Sequence, residues 1–217
     1  MLKIILTLLI TTLTLFAFEI KQTPIDFGEK RIDLTKEYIQ QHYGLDVADI
    51  TIVPKIIVIH YTKMNSYPAS FKRLKPETIP TDKRPYVATA GAVNVSAHFM
   101  VERDGTIHQL MPLNWMARHI IGLNYSSIGI ENIGGERDGQ NLTPAQLKAN
   151  VYLVNYLRNR FSSIEYMIGH SEYRCFEKTP LWLEKDDSYR TEKHDPGSIF
   201  LKELRKRIKG LKEAPCD

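Results

Sequence analysis

Lys55-Ile56-Ile57-Val58-Ile59-His60 (KIIVIH, residues 55–60) is the stretch from which the architecture of this chain can be read. Its four central residues are all aliphatic and β-branched, with no polar alternation. Such a run suits a strand buried on both faces, as in a sheet with parallel neighbours. Tyr166 to His170 (YMIGH) is a second short run of the same kind, and it also ends in histidine. Ser127 to Ile133 is a third strand candidate. His98 to Arg103 and Thr106 to Leu110 flank Asp104-Gly105, a strong hairpin signal. Between these strands lie helical patterns. Thr143-Pro144-Ala145-Gln146 combines a capping box with proline at the first helical position, and Leu147, Val151, Val154, Leu157 and Phe161 follow as an apolar stripe. A helix spans Leu34 to His42 and stops at Gly44, and another runs over Ile199 to Lys209. Strands interleaved with helices predict an α/β fold, a single domain with a central mixed β-sheet flanked by helices on both faces.

The chain has 217 residues, a net charge of +4, 43% hydrophobic and 25% charged residues. These values exclude disordered, collagen-like and coiled-coil classes. A chain of this length buries roughly 70% of its unfolded surface, so it folds without help from a metal or disulfide. Any metal site therefore serves chemistry. The basic residues Lys202, Arg205, Lys206, Arg207 and Lys209 on the terminal helix read as a solvated face, so no nucleic-acid partner is expected.

Residues 1–17 read as a secretory signal peptide. Lys3 gives the positive start, and Ile4 to Phe16 is an apolar run broken only by threonines. It falls short of the roughly 20 residues that span a bilayer. An uncleaved anchor is the other reading. Cleavage near Ala17 predicts an exported, soluble protein with no stable membrane insertion. Export puts Cys175 and Cys216 where they can pair, although nothing in the sequence shows that they approach each other. Residues 18–50 read as an N-terminal extension packed on a single domain over 51–217. Residues 64–94 read as a long loop with at most a short helix around Phe71, and loops of that length are usually functional.

Seven histidines occur, at positions 42, 60, 98, 108, 119, 170 and 194. His60 and His170 end strands, where a rigid sheet displays side chains at its rim. With Asp195 of Lys193-His194-Asp195-Pro196-Gly197 they could form a His₂Asp set, the ligand type of a hydrolytic zinc with an open fourth position. Strand alternation places His98 away from any cleft that residue 97 faces, as a structural histidine. His42 and His108 are expected to be exposed, and His194 to neighbour the site.

Four segments together carry a resemblance: VSAHFMVERDGTIHQLMP (95–112), ARHIIGLNYSSIGIENIG (117–134), IGHSEY (168–173) and KHDPG (193–197). In this order, over about residues 55–200, the chain resembles the zinc-dependent N-acetylmuramoyl-L-alanine amidases. These type 2 amidases are related to peptidoglycan recognition proteins and amidase-type phage lysozymes. The resemblance implies one Zn²⁺ held by His60, His170 and Asp195, with Glu131 and Lys193 as catalytic residues. It also implies substrate contacts from His119, Arg118 and Asn124, although Arg118 stands where the family usually has Trp. The implied activity is hydrolysis of the amide between the muramic acid lactyl group and L-alanine of peptidoglycan stem peptides. The implied partner is peptidoglycan or a muropeptide; together with the signal segment this points to the periplasm, and a monomer is the favoured state.

Two departures qualify these assignments. The segment CFEKTPLWLEKDDSYRTE (175–192) lengthens the path between His170 and Asp195. It is expected to loop out over the cleft and leave the ligands in place. Cys175 is the rival third ligand, but Lys193 and Pro196-Gly197 accompany Asp195 and favour it. Where the family lacks the glutamate it often has Tyr before the histidine of the HF pair; here that residue is Ala97, which leaves the acid–base role to Glu131. A non-catalytic muropeptide-binding module and a zinc peptidase are the other functional classes. The second lacks the HExxH pattern of common zinc proteases.

Overall fold

The computed structural model describes residues 18–80, 85–136 and 141–216. The expected signal segment, 1–17, lies outside them. Strand β2 (Ile56–Tyr61) occupies an interior position of a six-stranded sheet, and Ile56, Ile57, Val58 and Ile59 are each fully buried, as a continuous apolar run requires. It pairs in parallel with β5 (Ser127–Asn132) on one side and β6 (Tyr166–Gly169) on the other. Beyond β5 lie β3 (Phe99–Val101) and β4 (Ile107–Gln109), the antiparallel hairpin around Asp104-Gly105. The order is β1-β4-β3-β5-β2-β6, and only β3–β4 is antiparallel, so the sheet is mixed.

The outermost strand corrects one expectation. Residues 18–50 are more than a packed extension: β1 (Ile20–Gln22) pairs in parallel with β4 and belongs to the sheet. Helix α1 (Glu29–Tyr43) follows, and Gly44 closes it in the left-handed conformation at φ 64°. Residues 64–94 also hold more structure than a loop, namely α2 (Tyr67–Leu74) and α3 (Pro85–Thr89).

One sheet face packs against α4 (Pro144–Arg160) and α5 (Ser198–Arg207) through Ile57, Ile59, Phe99, Ile128 and Ile130. The capping box at Thr143 forms as expected, with Thr143 Oγ1 accepting from the Gln146 amide at 3.1 Å and Gln146 Oε1 accepting from the Thr143 amide at 2.9 Å. The buried stripe is rotated from the apolar one in the sequence, running through Gln146, Ala149, Asn150, Leu153, Val154 and Leu157. The two polar members are buried because they bond to the sheet: Gln146 Nε2 donates to the Val101 and Ile133 carbonyls, and Asn150 Nδ2 to Asn132 Oδ1.

The other face, with Ile56, Val58 and Ile168, is covered by residues 120–123 and by a 3₁₀ segment, His170–Phe176. Helices α1 and α2 lie on this side, outside those loops. Segment 175–192 borders the cleft through Tyr189 and Thr191, as expected, but it does not loop out freely. It folds down on the sheet, where Phe176, Trp182 and Tyr189 join that core beside Tyr173, and Leu183 N donates to the Gly122 carbonyl. The Tyr173 hydroxyl holds both backbone groups of Thr191, at 2.7 and 2.9 Å. A disulfide joins Cys175 to Cys216, which removes Cys175 as a rival metal ligand. Among the described residues, no helix is long and apolar enough to cross a membrane.

Candidate active site

The site forms where β2, β5 and β6 end, the usual binding edge of parallel strands. His60 is the fifth residue of β2 and shares a face with Ile56 and Val58. In the neighbouring strand Glu131 stands in register with it, so both side chains rise from the same side of the sheet. His170 follows β6 directly and opens the 3₁₀ segment. The Glu172 carboxylate accepts from the Gly169 amide at 2.9 Å and is itself held by Arg205, which fixes that turn. Asp195 arrives from the far end of the 171–192 segment, and its carbonyl accepts from Ser171 N at 2.9 Å. The long connection therefore closes on itself and leaves the pair together.

His60 Nδ1, His170 Nδ1 and Asp195 Oδ2 converge at 2.9, 3.0 and 3.1 Å from one another, and all three residues are buried. Two imidazole nitrogens presenting lone pairs at 2.9 Å repel unless a proton or cation lies between them. Tetrahedral zinc with donors at about 2.0–2.1 Å sets its ligand atoms about 3.3 Å apart, close to this spacing. The protonation states suit a cation as well. Burial drives the His170 imidazole down to about 4, against the pull of Asp195, so it is neutral near pH 7. Burial would raise the Asp195 carboxyl, but His170 and His60 beside it outweigh that and hold it below the usual carboxylate range. Neutral imidazole and ionised carboxylate are the forms a metal takes.

Around this cluster runs a cleft lined by Glu131, Lys193, His119, Tyr61, Arg73 and Tyr189, among others. Lys193 lies near enough to His170 for its charge to disfavour the imidazolium. His119 stands behind His60, with its Nδ1 3.0 Å from His60 Nε2, and burial pushes its pKa well down. His98 departs from the alternation argument: its ring lies 6.0 Å from that of His119, on the site side of the sheet. It is structural even so, because Nε2 donates to the Trp115 carbonyl and Nδ1 accepts from the Gly129 amide. Burial lowers its pKa to about 4.

Arg118 and Asn124 bond to the protein itself. The Arg118 guanidinium donates to the carbonyls of Val87, Ala90, Gly91 and Val93 and to the Tyr189 hydroxyl. Asn124 Oδ1 accepts from the amides of His119 and Ile120, while Nδ2 donates to Tyr43 Oη. Both residues shape the cleft wall. Neither His42 nor His108 is exposed as expected. His42 bridges Glu184 and the Ala90 carbonyl, which ties α1 to two cleft-bordering loops, and His108 bridges Thr23 and Glu102 at the β1 edge. His194 is exposed, 3.6 Å from Glu192. The expected bordering of the cleft by the long connection is met by Tyr189 and Thr191, although the sequence did not single out these two residues, which the folding of 175–192 onto the sheet carries into the wall.

Comparison with known proteins gives the same frame. The family described as N-acetylmuramoyl-L-alanine amidase matches residues 51–198. The endolysin of Klebsiella phage KP32 is 31% identical over 84 residues, 37% of this chain and 56% of the phage protein. The match thus spans little more than half of that relative. Among solved structures, an AmpD selenomethionine derivative superposes with a TM-score of 0.56 at 24% identity, covering 89% of this chain and 96% of that one. A bumblebee protein, PGRP-SA, gives 0.50 at 18% identity, covering 77% and 88%. These two likenesses are of fold.

Proposed function

The chain belongs to the N-acetylmuramoyl-L-alanine amidase family, and from that premise we propose that it is a zinc-dependent hydrolase of the lactyl–L-alanine amide in peptidoglycan or its fragments. The convergence of His60, His170 and Asp195 on one point, beside Glu131, is the observation that carries this reading. His60, His170 and Asp195 would hold the ion. When bound, zinc supplies Lewis acidity that polarises the scissile carbonyl and makes water a better nucleophile.

The remaining chemistry falls to this chain's own residues. Glu131 takes a proton from the attacking water and returns it to the departing L-alanine amine, so that the amide and one water become a lactyl carboxylate and a free amine. The Lys193 ammonium faces the oxygen on which negative charge develops, where preorganised charge lowers the barrier by several kcal/mol. The wall built by Arg118, Tyr189 and the 85–93 and 184–192 segments holds the rest of the substrate.

Purified protein incubated with sacculi and with isolated muropeptides should release intact stem peptides and leave the glycan uncut, read by mass spectrometry. Release of single amino acids or sugars would rule out this bond, and binding without products would make the chain a receptor. We further propose export to the periplasm on the reading of residues 1–17 as a signal peptide. N-terminal sequencing of the exported protein should then begin near Phe18, and recovery of Met1 in the membrane fraction would overturn it.

A further inference from the structure

We infer that Ser127 and His119 are positioning residues: a hydrogen-bond relay from the Leu123 carbonyl through Ser127 and His119 decides which nitrogen of His60 faces the ligand cluster. This inference rests on the metal-site reading above. The directions of the bonds follow from the one proton whose place is set by its partner. Ser127 is fully buried, and its hydroxyl donates to the Leu123 carbonyl at 2.8 Å. With that proton engaged, Ser127 Oγ can only accept at its 3.2 Å contact with His119 Nε2. His119 therefore carries its proton on Nε2 and presents a lone pair at Nδ1. Facing that lone pair at 3.0 Å, His60 Nε2 must donate. A neutral His60 protonated at Nε2 has its free lone pair on Nδ1, the atom that meets His170 and Asp195.

The surrounding backbone is shaped for this relay. The His119 ring lies against bare main chain, for a Cβ at Gly129 would come within 2.8–3.0 Å of ring atoms Nδ1, Cγ and Cε1. Asn124 holds the His119 amide from below at 2.8 Å. Ser127, Gly129 and Glu131 alternate along one face of β5, so a single strand face supplies the relay's anchor, the room for its ring and the proposed base.

The test uses the mature chain labelled with ¹⁵N-histidine. Long-range proton–nitrogen spectra of the wild type should show His119 protonated at Nε2, with or without zinc. In chelator competition, Ser127→Ala should lower zinc affinity about 10-fold, the low end of the cost of losing a ligand's own outer partner, because Ser127 acts on His60 only through His119. His119→Asn puts an amide oxygen near the Nδ1 position, where it accepts from His60 without Ser127. In that background Ser127→Ala should change zinc affinity by less than about twofold, the additivity error of uncoupled sites. Wild-type zinc affinity in Ser127→Ala, or a His119 proton on Nδ1, would overturn the relay. A wild type that takes up no zinc would instead remove the metal-site reading, while the His119 tautomer still decides the relay. That measurement needs no variant to fold.

Discussion

His170→Ala should lose bound zinc and turnover together. The substitution removes one of three converging donors and leaves His60 and Asp195 as a two-ligand site. Apparent zinc binding energies of about 10–16 kcal/mol shared over four ligands put one ligand at about 3 kcal/mol, so affinity should fall at least about 100-fold. The fold should survive, because the backbone bond from Ser171 N to the Asp195 carbonyl and the disulfide at Cys175 are untouched. Some stability is lost all the same, since Asp195 is only 8% exposed and keeps a single imidazole partner, His60 at 3.1 Å. Metal analysis after dialysis, with circular dichroism as the control for folding, checks the result. Full zinc content in a folded His170→Ala protein would dismantle the site as drawn.

Glu131→Gln should separate proton transfer from metal binding. The amide keeps nearly the same volume and a hydrogen-bonding head, but it cannot take a proton near neutral pH. Glu131 stands beside His60 in register without belonging to the converging donor cluster, so zinc content and muropeptide affinity should be retained. Turnover should fall about 10²–10⁴-fold, the usual contribution of a positioned general base. Single-turnover assays with the zinc-loaded variant give that number free of binding effects. Near-normal turnover would take the role from Glu131 and pass it to another cleft residue, with Tyr61 the candidate because both ring nitrogens of His119 are already bonded.

The strands and the α4 cap were legible because their signals are local. A continuous β-branched run has few ways to be buried other than as an interior strand, and Thr143 with Gln146 closes its bonds within one turn. The candidate ligands were legible in part for the same reason: His60 and His170 end apolar runs, and the end of a rigid strand points at the rim. What the sequence missed depended on partners far away along the chain. His42 looked like a surface residue of a polar helix, yet Glu184 lies 142 positions away and bonds it at 2.9 Å. Gln146 and Asn150 broke the apolar stripe of α4, yet both are buried against sheet carbonyls and amides that no periodicity reveals.

Sequence alone therefore determined the mixed α/β architecture, the family motifs in their order and the residue types able to hold zinc, because each is encoded in a short stretch. Tertiary structure decided what long-range closure controls. It made Ile20–Gln22 part of the sheet, excluded Cys175 by pairing it with Cys216, and turned Arg118 and Asn124 toward the protein's own backbone. It also brought Asp195 back to His170 across the intervening segment, since Tyr173 pins Thr191 and the sheet-side core holds the stretch between them. A buried side chain bonds to whichever groups the folded chain brings within about 3 Å, and that neighbourhood is a property of the packing rather than of the local sequence.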